Sequence, residues 1–168
     1  MVGTHRFKPI YLIRLVMAAA ICSLCCTVGC TTSSASPPLS DIRFDAELTW
    51  FTPENSQITS TRVEIADTRD AQLQGLKGRR LAGDGEGMLF VYTDSVFRTF
   101  IMTDTPGALD ILFADEAGRI ITIHEHTRPL SNTTYTSSAP AMFVVEVPAG
   151  FCRRQGIRKG TTIRYRRR

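Results

Sequence analysis

The sequence predicts a mainly β domain with short helices, closed or nearly closed into a small barrel. Three observations carry that expectation. The 168 residues are 43% hydrophobic and 21% charged, an ordinary globular composition with room for one core. Beyond residue 44, seven or eight short runs are rich in β-branched or aromatic side chains and bounded by polar, Gly or Pro turns. Only two short stretches carry a helical signal, and closing the sheet on itself would remove the exposed edges that so many short strands leave.

Residues 1–29 read as an address. Arg6, Lys8 and Arg14 precede a charge-free run, Leu15 to Val28, which is shorter than the about 20 residues of a membrane span and matches a secretory signal core. Thr27-Val28-Gly29-Cys30 resembles a bacterial lipobox, whose cysteine is lipidated and becomes the new N-terminus. Competing readings are an uncleaved signal anchor, a secretory signal cut elsewhere, and lipidation at Cys26. Residues 30–44 continue as a Ser/Thr/Pro-rich tether with little to bury. The membrane is therefore the expected partner, through lipidated Cys30, and the periplasmic or extracellular face of the cell envelope the expected location. With Cys30 acylated, Cys152 has no partner for an internal disulfide, so the core alone must hold the fold.

The net charge of +4 and the pI near 9.0 conceal a segregation. Residues 1–29 carry three bases and no acid, residues 30–152 nine bases and 16 acids, and residues 153–168 eight bases and no acid. The body is acidic, which argues against a nucleic-acid partner. The basic end, from Arg153 to Arg168, reads either as a surface for anionic lipid or polysaccharide or as a solubilising, partly frayed terminus.

Residues 45–168 form the predicted domain. Glu47 to Phe51 and Arg62 to Ala66 are strands by alternation and β-former content. Thr68 caps a helix from Arg69 to Lys77, with Ala71, Leu73 and Leu76 apolar and Gly78 as its stop. A glycine-rich loop, Leu81 to Gly87, leads to strands at Met88 to Tyr92, Phe97 to Met102, Leu109 to Ala114, Arg119 to Glu125 and Ala141 to Val147. Asp115-Glu116-Ala117-Gly118 makes a hairpin between two of them, with glycine placed for positive φ. Phe151 to Gly156 is a single helical turn and Thr161 to Arg166 a last strand. The expected core is Leu89, Phe90, Phe100, Leu109, Ile111, Phe113, Ile121, Ile123, Phe143 and Val145.

Several short motifs stand in this order: Gly75-Leu76-Lys77-Gly78-Arg79, Gly87-Met88-Leu89-Phe90, Phe100-Ile101-Met102, Thr105, Leu109-Asp110-Ile111-Leu112-Phe113, Gly118-Arg119-Ile120, Pro129, Glu146 with Ala149-Gly150, and Gly156-Ile157 with Gly160. Their order and spacing over Arg62 to Ile163 resemble the bacterial and archaeal family known as domain of unknown function 192. The resemblance implies a small β-barrel, often exported or lipid-anchored, with no agreed activity. This chain departs from the family pattern at Lys77 for Met, Met102-Thr103-Asp104-Thr105 for Met-Lys-Asn-Thr, Gly107-Ala108 for Ile-Pro, and Thr161 for Asp.

Candidate chemistry gathers around Arg79, Met102, Asp104, Thr105 and Asp110, with Arg98 near them in sequence. Arg79 has the fork to grip a carboxylate or phosphate, Thr105 and Asp110 completing a polar pocket; the competing structural reading has Arg79 pair with Asp110 or cap backbone carbonyls inside the fold. His124 and His126, at i and i+2, would share one strand face and suggest a metal site. An enzyme using Asp110 and His124 as acid and base is the catalytic alternative. No G-x-S-x-G, P-loop or dinucleotide fingerprint occurs, and Cys152 has no histidine beside it. The favoured expectation is a non-catalytic module, without cofactor, that binds a small anionic or envelope ligand.

Overall fold

A long hairpin opens the domain: β1 (Ala46–Phe51) pairs antiparallel with β2 (Gln57–Ala66), turning at Asn55 in the left-handed region. The computed structural model of the protein describes residues 42–168; the predicted leader, Cys30 and most of the tether fall outside them. After β2 a short helix, α1 (Arg69–Gln74), crosses over to β3 (Glu86–Val96), which runs parallel to β2. Then follow β4 (Thr99–Met102), β5 (Leu109–Ala114), β6 (Ile120–His124), β7 (Ser131–Thr136), β8 (Ala141–Pro148), α2 (Phe151–Gln155) and β9 (Thr162–Arg167).

Seven strands form one sheet in the order β6-β5-β8-β3-β2-β1-β9, and β4 and β7 form a separate two-stranded piece. The closed barrel expected from the strand count is not formed: the large sheet has two ends, β6 and β9. These ends touch over a short stretch through an isolated bridge, Arg119 to Thr162, and the bond from the Ile163 amide to the Gly118 carbonyl (2.8 Å). Gly118, at φ +74, is required there. A Cβ would sit 2.5 Å from the Ile163 carbonyl oxygen.

Alternation puts an apolar cluster on each face of the sheet. Leu48, Trp50, Val63, Leu89, Leu112, Val145 and Phe151 belong to one; Ala66, Met88, Phe90, Ile111, Phe113 and Val144 belong to the other. β5 is covered on both faces and buried at all six positions, which is why its sequence is apolar but for Asp110. Of the predicted core, Leu89, Phe90, Leu109, Ile111, Phe113 and Val145 are buried, while Phe100, Ile121, Ile123 and Phe143 are half-buried and pack against the clusters.

Several boundaries differ from the sequence reading, among them the start of β2 at Gln57 and the end of β3 at Val96. α1 ends at Gln74 because Gly75, at φ +49, caps it, not Gly78. β7 is a strand the sequence does not announce. Residues 42–44 belong to the domain and not to the tether: Ile42 packs on the second cluster and the Arg43 amide donates to Glu64 (3.0 Å). The basic end does not fray; β9 pairs with β1 along its length, Arg167 meets Asp67 (2.6 Å), and Arg166 meets Glu47 (3.8 Å). Nearby, Arg154 bonds Asp84 with two nitrogens.

Candidate functional site

β8 reads Ala-Met-Phe-Val-Val-Glu-Val-Pro, an apolar strand interrupted by one carboxyl. Register sets Glu146 between Met88 of β3 and Ile111 of β5, and sets Glu64 of β2 on the far side of Met88. A row of Glu64, Met88, Glu146 and Ile111 thus crosses four neighbouring strands on one face. Arg79 reaches this row from the turn after α1. Its Nη1 and Nη2 donate to Glu64 Oε2 (2.8 Å) and Oε1 (3.3 Å), and Nη2 also donates to the Gly75 carbonyl, so the loop is pinned to the sheet.

Glu146 is 5% exposed, and its Oε2 has no hydrogen-bond partner among the described residues. Burial pushes its carboxyl up to about 8, against the downward pull of the Arg79 charge. Near neutral pH it is mostly protonated.

Beside this row lies a cavity of about 420 Å³, between α1 with its following turn and β4. Glu146, Phe90, Tyr92, Phe100 and Leu76 line its interior, with Thr105 as a buried hydroxyl. Arg69, Leu73, Lys77 and Ile101 line it too but are exposed, which puts them at the mouth. Gly75 borders the cavity where a Cβ would stand 3.5 Å from the Phe90 ring. The β4 side is held by edge-to-face rings, Phe90 to Phe100 at 4.9 Å and Phe100 to Phe113 at 5.8 Å.

Of the residues singled out from sequence, Thr105 lines the cavity and Arg79 stands behind its floor, tied to Glu64. The expected pairing of Arg79 with Asp110 is not made. Asp110 lies on the opposite sheet face, fully buried, where Oδ1 accepts from the amides of His126 (2.9 Å) and Gly150 (3.0 Å) and Oδ2 from that of Cys152 (3.0 Å). Its carboxylate ties three chain segments together. Met102 is buried in the second cluster, and Asp104 is exposed, contributing its carbonyl to the Gly78 amide (2.8 Å). Arg98 bonds the Ala141 carbonyl (2.8 Å) and Asp94 and lies over the Tyr92 ring at 3.3 Å.

The two histidines do not share a strand face. β6 ends at His124, whose ring meets those of Phe113 and Tyr135 edge to face and makes a 2.9 Å hydrogen bond with the Thr136 carbonyl; His126 follows in the left-handed region at φ +52, exposed. Among the described residues no group of three His, Cys, Asp or Glu side chains is placed to hold a metal. Nor do Asp110 and His124 form an acid–base pair, since His124 pairs in register with Ile111 and Asp110 faces the other way. The Cys152 thiol is pushed up by burial and by the Asp110 carboxylate, which leaves it far from a reactive thiolate.

Glu146 and Glu64 are the site residues that sequence reasoning passed over. A lone carboxyl inside an apolar strand was the available signal, because a charge is placed there only when a partner or a ligand compensates it.

These features define a small, mainly β, single-domain protein with a carboxyl-floored cavity on one sheet face. The chain belongs to the DUF192 family, described as "Uncharacterized ACR", whose model matches residues 51–165. It is similar to a crystal structure from Sinorhizobium meliloti described as that of a candidate transcription regulator, at 28% identity and a TM-score of 0.69, covering 75% of this chain and 98% of that one. It is also similar to a protein of unknown function from Novosphingobium aromaticivorans, at 30% identity and a TM-score of 0.66, covering 70% of this chain and 83% of that one. No curated protein matches the chain.

Proposed function

We propose that the protein is a non-catalytic module of the cell envelope, held at the membrane by lipidated Cys30, that takes up a small ligand in the cavity over Glu146. One observation carries the binding reading: Glu146, buried and with an Oε2 that has no hydrogen-bond partner among the described residues, lines a cavity of about 420 Å³. A buried carboxyl oxygen without a partner costs about 1–3 kcal/mol, a penalty that a ligand's hydrogen bond would relieve. Arg69 and Lys77 at the mouth supply the cationic character sought for an anionic ligand group, because the Arg79 fork is already taken by Glu64. The non-catalytic reading is supported by the separation of Asp110 from His124 and by the protonated state of Cys152. The anchoring reading is supported by the basic leader, the Thr27-to-Cys30 motif and the tether.

Two experiments test the two halves. A fragment screen by ligand-observed NMR on the full chain should give hits that are lost in Thr99→Trp, an exposed β4 position that a large ring would use to plug the cavity; hits that bind both proteins equally would refute the cavity as the site. Labelled palmitate should enter the wild type and not Cys30→Ala. Equal labelling would end the anchoring proposal.

A further inference from the structure

We infer that the group this cavity receives against Glu146 is a protonated amine, so that the ligand enters ammonium end first. The inference rests on the cavity being a ligand site and adds the chemistry of its inner end. The buried row holds two carboxyls, Glu64 and Glu146, and one guanidinium, that of Arg79, whose fork is committed to Glu64 at 2.8 and 3.3 Å. What the row lacks is a second cation carrying N–H donors. Once Glu146 is ionised, an alcohol would satisfy one oxygen and leave the charge uncompensated, and a carboxylate or phosphate would bring like charge against it.

The walls favour the same answer. Phe90, Phe100 and Tyr92 surround the space next to Glu146 with aromatic surface, which stabilises an ammonium group better than it does an anion. Arg69 and Lys77 are exposed, so their repulsion is screened and they suit a neutral or anionic outer end of the ligand.

Binding then couples to a proton. Glu146 gives up its carboxyl proton to solvent, the ammonium nitrogen keeps its own three, and the new bond is N–H to carboxylate; charge and atoms balance with one proton released per ligand. The titratable and charged groups that face Glu146 or its cavity are Glu64 on β2, Tyr92 on β3 with Arg98 laid over its ring and Asp94 beside it, and Arg69, Lys77 and Arg79 on and after α1; Asp110 on β5 faces the other way. β4 adds only Thr99, Phe100 and Ile101 to the cavity, and β5 presents Ile111 beside Glu146. Burial lifts the Glu146 carboxyl to about 8, so its charge changes near neutrality.

The experiment is isothermal titration of the full chain with phenethylamine, phenethyl alcohol and phenylacetate, three head groups on one skeleton. The amine should bind tightest, gaining roughly fiftyfold in affinity from pH 6 to pH 8 and levelling above, with about one proton released at pH 6–7 when buffers of different ionisation enthalpy are compared. Glu146→Gln should abolish its preference over the alcohol. Alcohol or phenylacetate binding as tightly as the amine would overturn the inference and leave the cavity reading standing. Amine binding with a flat pH profile and no proton release would overturn it as well. Binding by none of the three also overturns it, and the fragment screen, which needs no amine, decides the cavity reading separately. Should Glu146→Gln not fold, the pH profile and proton count of the wild type decide alone.

Discussion

Glu146→Gln should change how the stability of the domain depends on pH, and the sign can be worked from the folded and unfolded carboxyl. Unfolded, Glu146 titrates at 4.5; folded, at about 8. Over that window the native state holds a proton that the unfolded state has released, so the group's contribution is complete below pH 4.5 and is lost as pH rises through 8. At 1.36 kcal/mol per pH unit the loss amounts to about 5 kcal/mol. The substituted side chain has no proton to lose, but its buried amide leaves about 1–3 kcal/mol of unsatisfied polarity. The variant should therefore be less stable than wild type at and below pH 5, equal to it near pH 6, and more stable by about 1–3 kcal/mol at pH 8. Urea unfolding of both proteins from pH 5 to pH 9, with unchanged m-values, measures the difference. Parallel stability curves would refute the reasoning, since they would mean that Glu146 is ionised in the native state like any exposed carboxyl.

The Arg79–Glu64 fork should carry coupling energy: Arg79→Met or Glu64→Gln alone should cost about 3 kcal/mol and the double variant much less than the sum, whereas a double-mutant cycle with coupling under about 0.5 kcal/mol would show the pair to be idle. Asp110→Asn keeps one acceptor oxygen but turns an NH2 donor toward at least one of the three backbone N–H groups and should cost about 2–4 kcal/mol in denaturant unfolding; a wild-type midpoint would contradict the three bonds. Cys152 should resist alkylation at pH 8 in the folded chain and react once urea unfolds it, which mass spectrometry reads directly. Phe113→Ala should cost about 3–5 kcal/mol and loosen β4, seen as faster amide exchange at Thr99 to Ile101, because Phe113 supports the Phe100 ring; unchanged exchange there would separate the two rings energetically.

Elements whose local pattern and tertiary environment agree were legible in the sequence. The β5–β6 hairpin follows from Asp115, whose Oδ1 accepts from the amides of Ala117 and Arg119, and from Gly118 at positive φ. Thr68 caps α1 as its side chain allows. β7, by contrast, is Ser-Asn-Thr-Thr-Tyr-Thr, largely exposed, and exists because it pairs with β4; nothing in its own composition requires it. The sheet's open ends depend on where β6 and β9 stop, a matter of stagger that alternation does not encode. At the site, Arg79 and Thr105 were visible by type, but the partner of Arg79 was not. Sequence placed Asp110 nearest in motif space, while the parallel β2–β3 register brought Glu64 to Arg79's row, and register between distant strands is set only by the assembled core.

The pairing of β1 with β9 carries a consequence in time. Ala46 lies opposite Arg167, 121 positions later in the chain. At synthesis rates of about 5–20 residues per second, β1 waits roughly 6 to 24 s for the strand that covers its outer edge. A two-stranded hairpin is marginal in water by itself, and until the end of the chain emerges β1 lacks its second neighbour and Trp50 lacks Phe151, its ring partner at 5.4 Å. The domain therefore cannot complete its sheet for seconds after its first strand emerges, and any machinery that handles only incompletely folded chains has that long to engage it before the late strand arrives.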